Sequence, residues 1–316
     1  MTIDVSNGRR FSDEPVLDEL TEASAILLLH TSTGVKSVTV EKLRDFLQGK
    51  ISDLTTDDKT SVVAAINELV TDKMTDEEAI KALQEVVINY PGAMAANALP
   101  VEMNLGMSYT DEQSADIVAG KFQKVRTGGY WTINGTKYWA GHADYRLHCG
   151  DTELTKHHML VFPDKSLYDA KMNDTDITTG AYYGSALKTS RLADALAKVK
   201  NDFGASHVLS YRVLLANGVA NGASSSWAWY DSQIDLMNQA MVYGHVAWAG
   251  NGWDVGADKT QLAIFQARPD LICNRQNWWL RDVRSSTNFC YVYSDGYASN
   301  SGASASLGVR PAFLIA

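Results

Sequence analysis

The segment Leu280–Ala316 contains no Lys, Glu, Gln, Met or Trp. Those five types number 53 in the whole chain, all within the first 279 positions, and at that density about seven would fall in the last 37. Between Ser285 and Val309, seven Ser, three Tyr, three Gly, two Asn and one Thr make 16 of 25 residues, and Asp295 is the single charge. Such a stretch reads as short strands and turns. Phe289-Cys-Tyr-Val-Tyr293 alternates, which puts Cys290 and Val292 on one face and Tyr291 and Tyr293 on the other. Ser294-Asp-Gly296 is a hairpin turn signal, and Tyr297 starts the return strand. The expected outward patch is Tyr291, Tyr293, Ser294, Asp295 and Tyr297, extended by Asn300, Ser301, Gly302, Ser304, Ser306 and Leu307.

Tyrosine gives large contact area at low entropy cost, and Ser, Gly and Asn give adaptable hydrogen bonding, so this is the composition of a paratope. A solvated, serine-rich β-meander without a ligand has the same composition. The five absent types share a coding property. None can be reached from an Asn codon by changing only its two adenines, so a segment diversified by adenine-directed mutation would lack them wherever it varies.

The rest of the chain divides by charge. Residues 1–90 carry 17 acids and 9 bases, and the remaining 226 carry 20 acids and 19 bases. No basic face is on offer, which argues against a nucleic-acid partner. All eight tryptophans lie beyond residue 130. A small acidic front part and a large aromatic-rich back domain are expected. No run reaches the ~18 apolar residues of a membrane span, and the acids before Ala25–Leu29 are wrong for a signal peptide. Cys149, Cys273 and Cys290 cannot all pair, and no CxxC occurs, which fits assembly in a reducing cytoplasm.

Along the front part, Ala25–Thr31 and Val35–Val40 around Gly34 read as a short hairpin, and Val40–Leu47 as one or two helical turns. Over residues 51–90, Val62, Ile66 and Leu69 mark one short helix. The Thr75/Glu78 capping box with Ile80, Leu83 and Val87 marks another. Stripes this narrow pack against copies of themselves in a trimeric stalk or against each other in a helical hairpin. Residues 91–107, with one charge, two prolines and two glycines, read as a linker. From about residue 108 a larger domain is expected. It begins with a helix capped by Thr110 and Gln113, followed by a hairpin of Tyr130–Trp139 about Asn134-Gly135. His158–Pro163 reads as a buried strand, and Ser190–Phe203 and Ser232–Ala240 as helices.

Three stretches, Asn277-Trp-Trp-Leu-Arg-Asp282, Tyr291-Val-Tyr-Ser-Asp-Gly296 and Gly308-Val-Arg-Pro-Ala-Phe313, resemble the closing signature of a domain widespread in gut Firmicutes and their phages. Met172–Ser185, Trp227–Met237 and Asp258–Phe265 look like the corresponding parts of phage tail or head-fibre proteins, and Leu54–Leu69 is similar to a phage-fibre attachment module. The C-terminal part also resembles the variable proteins of diversity-generating retroelements. The resemblance implies an α+β chain. Residues 1–50 would attach to other virion proteins, 51–90 would oligomerise as a homotrimer, and 108–316 would form a C-type-lectin-like domain with a variable region at about 284–307. It implies a receptor-binding protein of the virion, assembled in the host cytoplasm, whose partner is a host-surface protein or glycan. Trp278, Trp279, Gly308, Arg310 and Pro311 would be scaffold. Arg284, Tyr291, Tyr293, Ser294, Asp295, Tyr297, Asn300, Ser301, Gly302, Ser306 and Leu307 would face the ligand.

Rival chemistries are weaker. His142, Asp144, His148, Cys149, Asp151, His157 and His158 are metal-ligating types, but their spacing matches no tight motif, so no metal is expected. The formylglycine-generating oxidases share the lectin-like fold and rely on a close cysteine pair, whereas Cys273 and Cys290 lie 17 apart and look like small buried residues. The calcium-lectin tripeptides are absent, and Gly250–Gly256 lacks the lysine and hydroxyl of a phosphate loop. No catalytic residue and no cofactor are expected. A structural decoration protein without a receptor is the alternative function.

Overall fold

The computed structural model describes residues 26–31, 34–39, 81, 92–98, 100–247 and 258–316. The chain divides into two compact units, Met1–Leu83 and Gln84–Ala316. In the first unit, β1 (Ile26–Thr31) pairs antiparallel with β2 (Gly34–Thr39). This is the hairpin expected there, with Gly34 opening the second strand. The helical turns expected over Val40–Leu47 lie outside the described residues. So do the two helices expected over 51–90, apart from Lys81, which is helical.

The second unit is α+β. It opens with α1 (Ala93–Ala98) and β3 (Met103–Gly106), which corrects the linker expected over 91–107. The physical reason is the small side chains. Ala96 is fully buried, and Asn97 accepts from Ala143 N (2.8 Å) and Thr127 Oγ1 (2.7 Å) while donating to Ala143 O (2.9 Å). A charge-poor, alanine-rich stretch is as fit for close packing as for a tether.

Next come α2 (Asp111–Val118), β4 (Gly129–Ile133) and β5 (Thr136–Ala143). The Thr110/Gln113 capping box forms in both directions. Asn134 (φ 48°) and Gly135 (φ 77°) supply the two positive φ angles of a type I′ turn. Wholly buried β6 (Met159–Pro163) and short β7 (Tyr168–Ala170) follow. A π turn (Leu187–Arg191) then leads into α3 (Leu192–Phe203), whose Leu192, Ala195, Val199 and Phe203 are buried. Phe203 meets Trp131, Tyr138 and Phe313 at 5.1–5.5 Å in edge-on contacts.

A long ribbon of β8 (Tyr211–Ala220) and β9 (Ala223–Ser232) comes next, turned at Asn221 (φ 53°) and Gly222 (φ 78°). The helix expected over Ser232–Ala240 is instead β10 (Ile234–Leu236) followed by α4 (Gln239–Tyr243). Asn238 caps α4 by accepting from Met241 N at 2.7 Å. The remaining elements are α5 (Ala263–Ala267), a 3₁₀ turn (Pro269–Leu271), β11 (Trp278–Val283), β12 (Asn288–Val292), β13 (Ala298–Gly302), β14 (Leu307–Val309) and β15 (Pro311–Ile315).

Among the described residues of this unit, six strands form one sheet in the order β10-β15-β6-β5-β4-β3. Five form another, β13-β12-β11-β14-β7, and β8-β9 stands as a ribbon. Buried ion pairs link the first two sheets. Asp258 binds Arg146, which follows β5, at 2.6 Å and also binds Arg281 of β11; all three are almost completely buried. Asp235 of β10 takes Lys188 at 2.7 Å and the hydroxyls of Tyr211 and Tyr182 at 3.2 and 3.3 Å. Burial alone would raise the Asp235 carboxyl, but Lys188 and Arg281 hold it below the usual carboxylate range.

Candidate functional site

The site is built on β11, β12 and β13. Register puts Trp279 opposite Tyr291, and Tyr291 opposite Ser299. Directly opposed residues share a face and neighbours alternate. One face therefore carries Trp279, Phe289, Tyr291, Ser299 and Ser301, and the other carries Trp278, Cys290, Val292, Ala298 and Asn300. Trp278, Cys290 and Val292 are wholly buried. Cys290 Sγ accepts from Gln239 Nε2 at 3.2 Å, and the guanidinium of Arg310 lies 4.9 Å from the Trp278 ring. That face is the anchor.

The other face carries a run of rings. Trp279 is buried, and Tyr291 meets it edge-on at 6.2 Å. Tyr293 lies 6.3 Å from Tyr291 and stacks on Tyr297 at 4.8 Å with 22° between planes. Tyr297 is 53% exposed, so the run passes from core to solvent. The turn below it is firmly held. Tyr293 N donates to Tyr297 O (2.9 Å) and Gly296 N to Tyr293 O (2.8 Å). Ser294 N donates to Asn277 Oδ1 (2.8 Å), and Gly296 O accepts from Tyr243 Oη (3.0 Å). Gly296 has φ 97°, and a Cβ there would stand 3.1 Å from the Cys273 Cβ. Only glycine fits both demands. Asp295 is exposed.

The expected ligand-facing set does not form one patch. Tyr291, Tyr293, Ser294, Asp295 and Tyr297 come together at one end of β12. Arg284, half-buried, lies at the other end in the turn between β11 and β12, where its N donates to Asn288 O at 2.9 Å. Ser301 shares the tyrosine face near that end. Asn300 and Gly302 are corrections: the register turns both to the opposite face, and Asn300 Oδ1 accepts from Asn288 Nδ2 at 2.9 Å. Gly302 serves as a seat for a neighbouring loop, since a Cβ there would stand 2.5 Å from Asp176 Oδ1, which accepts from Ser304 N at 2.8 Å. Ser306 is exposed, and Leu307 is half-buried opposite Ala170 of β7. Ser299, opposite Tyr291, was missed, although counting by twos onward from Tyr297 reaches it.

The scaffold residues are wholly or almost wholly buried. Arg310 donates to Pro163 O (2.9 Å) and Leu271 O (3.0 Å) between the rings of Phe162 and Trp278. A Cβ on Gly308 would collide with Ser166 Oγ at 2.0 Å.

The histidine-rich stretch is spent on local bonds. His142 Nδ1 accepts from Ala263 N (3.0 Å), and His158 Nε2 accepts from Arg146 N (3.0 Å). His157 pairs with Asp144, His148 with Glu153 and Asp151 with Arg212. Burial pushes the His142 and His158 imidazoles down to about 4. Among the described residues no group of three or more His, Cys, Asp or Glu is placed to hold a metal. Cys149 and Cys273 are free thiols. A cleft of about 530 Å³ opens between α3 and the base of the β8–β9 ribbon, where Lys188 Nζ is tied to Asp235, Ser232 and the Ile234 carbonyl.

Residues 220–316 match the family model described as Domain of unknown function (DUF6273). No curated protein and no solved structure matches the chain. The matched stretch begins at the end of β8 and takes in β9–β15, so it contains the whole tyrosine face.

Proposed function

We propose that this is a phage virion protein that binds a host-surface ligand through the tyrosine face. The observation that carries the reading is the run Tyr291–Tyr293–Tyr297. Tyr293 stacks on Tyr297 and Tyr291 lies tilted beside them, on a sheet whose far side is buried at Trp278, Cys290 and Val292, in the segment that lacks five residue types. Exposed aromatics on a rigid support are what recognition surfaces use as anchors. In this reading the second unit is a C-type-lectin-like domain related to the variable proteins of diversity-generating retroelements. The front part attaches to other virion proteins and trimerises through residues 51–90, and three copies turn a weak site into avidity. The reading assigns no catalytic residue, cofactor or metal.

The test is adsorption of the purified chain to cells of a permissive strain. Tyr291 shields Trp279, so the cleaner variant is Tyr293→Ala with Tyr297→Ala. Adsorption should fall by about 30-fold or more, the loss from one anchor worth ~2 kcal/mol, with the unfolding midpoint retained. Full adsorption by a folded double variant would refute the reading.

A further inference from the structure

β13 is an edge strand, and its sequence does nothing to guard the edge. Ala298-Ser-Asn-Ser-Gly302 has no charge, no proline and no register shift against β12, and all five residues are partly exposed. Natural edges are blunted by lysines, prolines, bulges or a covering element.

The ladder shows which backbone groups point outward. Bonds at its two ends run from Tyr293 N to Tyr297 O and from Ala303 N to Thr287 O, both 2.9 Å. Hydrogen-bonded pairs alternate along an antiparallel ladder. Hence 289 with 301 and 291 with 299 are the bonded pairs between those ends. Ser299 and Ser301 spend their N–H and C=O groups on β12. Ala298 and Asn300 turn theirs away from the sheet, as Gly302 does its N–H, while its carbonyl accepts from Ala305 N. The outward donors at Ala298, Asn300 and Gly302 repeat every two residues, about 6.8 Å. That is the period of an extended polypeptide, and among the described residues nothing pairs with it.

We infer that the ligand engages this edge as an extended polypeptide segment, adding a strand beside β13. The inference rests on the tyrosine face being a ligand surface and names the class of ligand. Main-chain bonds to Ala298 and Asn300 hold the segment. Its alternate side chains pass over the small Ser299 and Ser301 and lean on Tyr297 and the rings behind it. Serine at those positions is then a step that keeps the tyrosines within reach of a strand one row further out.

The test uses Asn300→Pro, which deletes one outward N–H, beside Asn300→Ala, which deletes only the side chain. Proline is tolerated on the solvent side of an edge strand. The full chain is probed with a displayed library of random peptides and, in parallel, a glycan array. The inference expects the unaltered chain and N300A to enrich peptides and N300P to bind them about tenfold or more weakly. An enriched peptide methylated at alternate backbone nitrogens should lose binding to the unaltered chain in one register and keep it in the other, which needs no variant to fold. Equal binding by N300P and N300A, indifference to methylation, binding to glycans alone, or a defect of N300P confined to self-association would each overturn the inference. If cells still adsorb through Tyr293 and Tyr297 in such a case, the adhesion reading stands without the edge. If cells never adsorb but peptides bind in the expected pattern, the edge stands without the adhesion reading.

Discussion

Asp258→Asn tests how the two sheets are joined. Its carboxylate faces the guanidiniums of Arg146 and Arg281, and the side chains of all three are 2–4% exposed. An amide keeps the shape and removes the charge, leaving the two buried guanidiniums with a neutral contact and only the more indirect pull of the Asp235 and Asp282 carboxylates. Breaking one buried pair typically costs about 3–5 kcal/mol. Two guanidiniums on one carboxylate are coupled, so their losses do not simply add. The upper end, about 5 kcal/mol, is the expected cost. For a domain of more than 200 residues each kcal/mol moves Tm by about 2–4 °C, so the expected drop is about 10–20 °C. Urea unfolding and calorimetry at neutral pH, on the full chain, read it directly. The companion variant Arg146→Met, Asp258→Leu, Arg281→Met removes all three charges at once. It should recover part of the loss, because three desolvation costs disappear together, while the buried Asp235 and Asp282 lose Arg281 as a counter-charge. A loss under about 1 kcal/mol in D258N, or a triple variant as unstable as D258N, would refute the argument.

Gly296→Ala should cost about 1–3 kcal/mol of stability, since φ 97° and the Cys273 contact both oppose a Cβ; chemical denaturation checks it, and an unchanged midpoint would mean the turn relaxes freely. Acid titration tests the buried histidines. His142 and His158 have folded values of about 4, below their unfolded value of about 6.5, so the unfolded chain binds protons first as pH falls. The stability they contribute is whole above pH ~6.5 and is lost progressively down to about 4, on the order of 3 kcal/mol for His142. His142→Asn should flatten that part of the urea-midpoint profile, and a profile as steep as before would refute the assignment.

What was legible in the sequence was local. The Thr110/Gln113 box, the Asn134-Gly135 turn and the apolar run of β6 each state their structure within a few residues. Asn221-Gly222 is the same turn signal as Asn134-Gly135, so the β8–β9 ribbon was open to the same reasoning and went unread. The stretch at Ser232–Ala240 misled because its apolar spacing suits a helix. A three-residue strand in a mixed sheet is chosen by its neighbours Pro311–Phe313, which lie far along the chain. At the candidate site, face assignments held for Tyr291, Tyr293 and Tyr297, where period two was applied. They failed at Asn300 and Gly302, where the patch was extended by adjacency. Asp176 beneath Gly302 is a tertiary contact that no local pattern announces.

β15 lies between β10 and β6 in the six-stranded sheet, and all its residues are buried. In a chain made from its N-terminus onward, β10 and β6 therefore wait for a strand translated after the tyrosine-bearing segment. A stop codon or frameshift within residues 284–307 leaves that sheet split, and its product exposes two unpaired edges to proteolysis. Because β15 follows residues 284–307 and completes the sheet, folding reports on the reading frame: a chain that has assembled the six strands has had that stretch translated in frame.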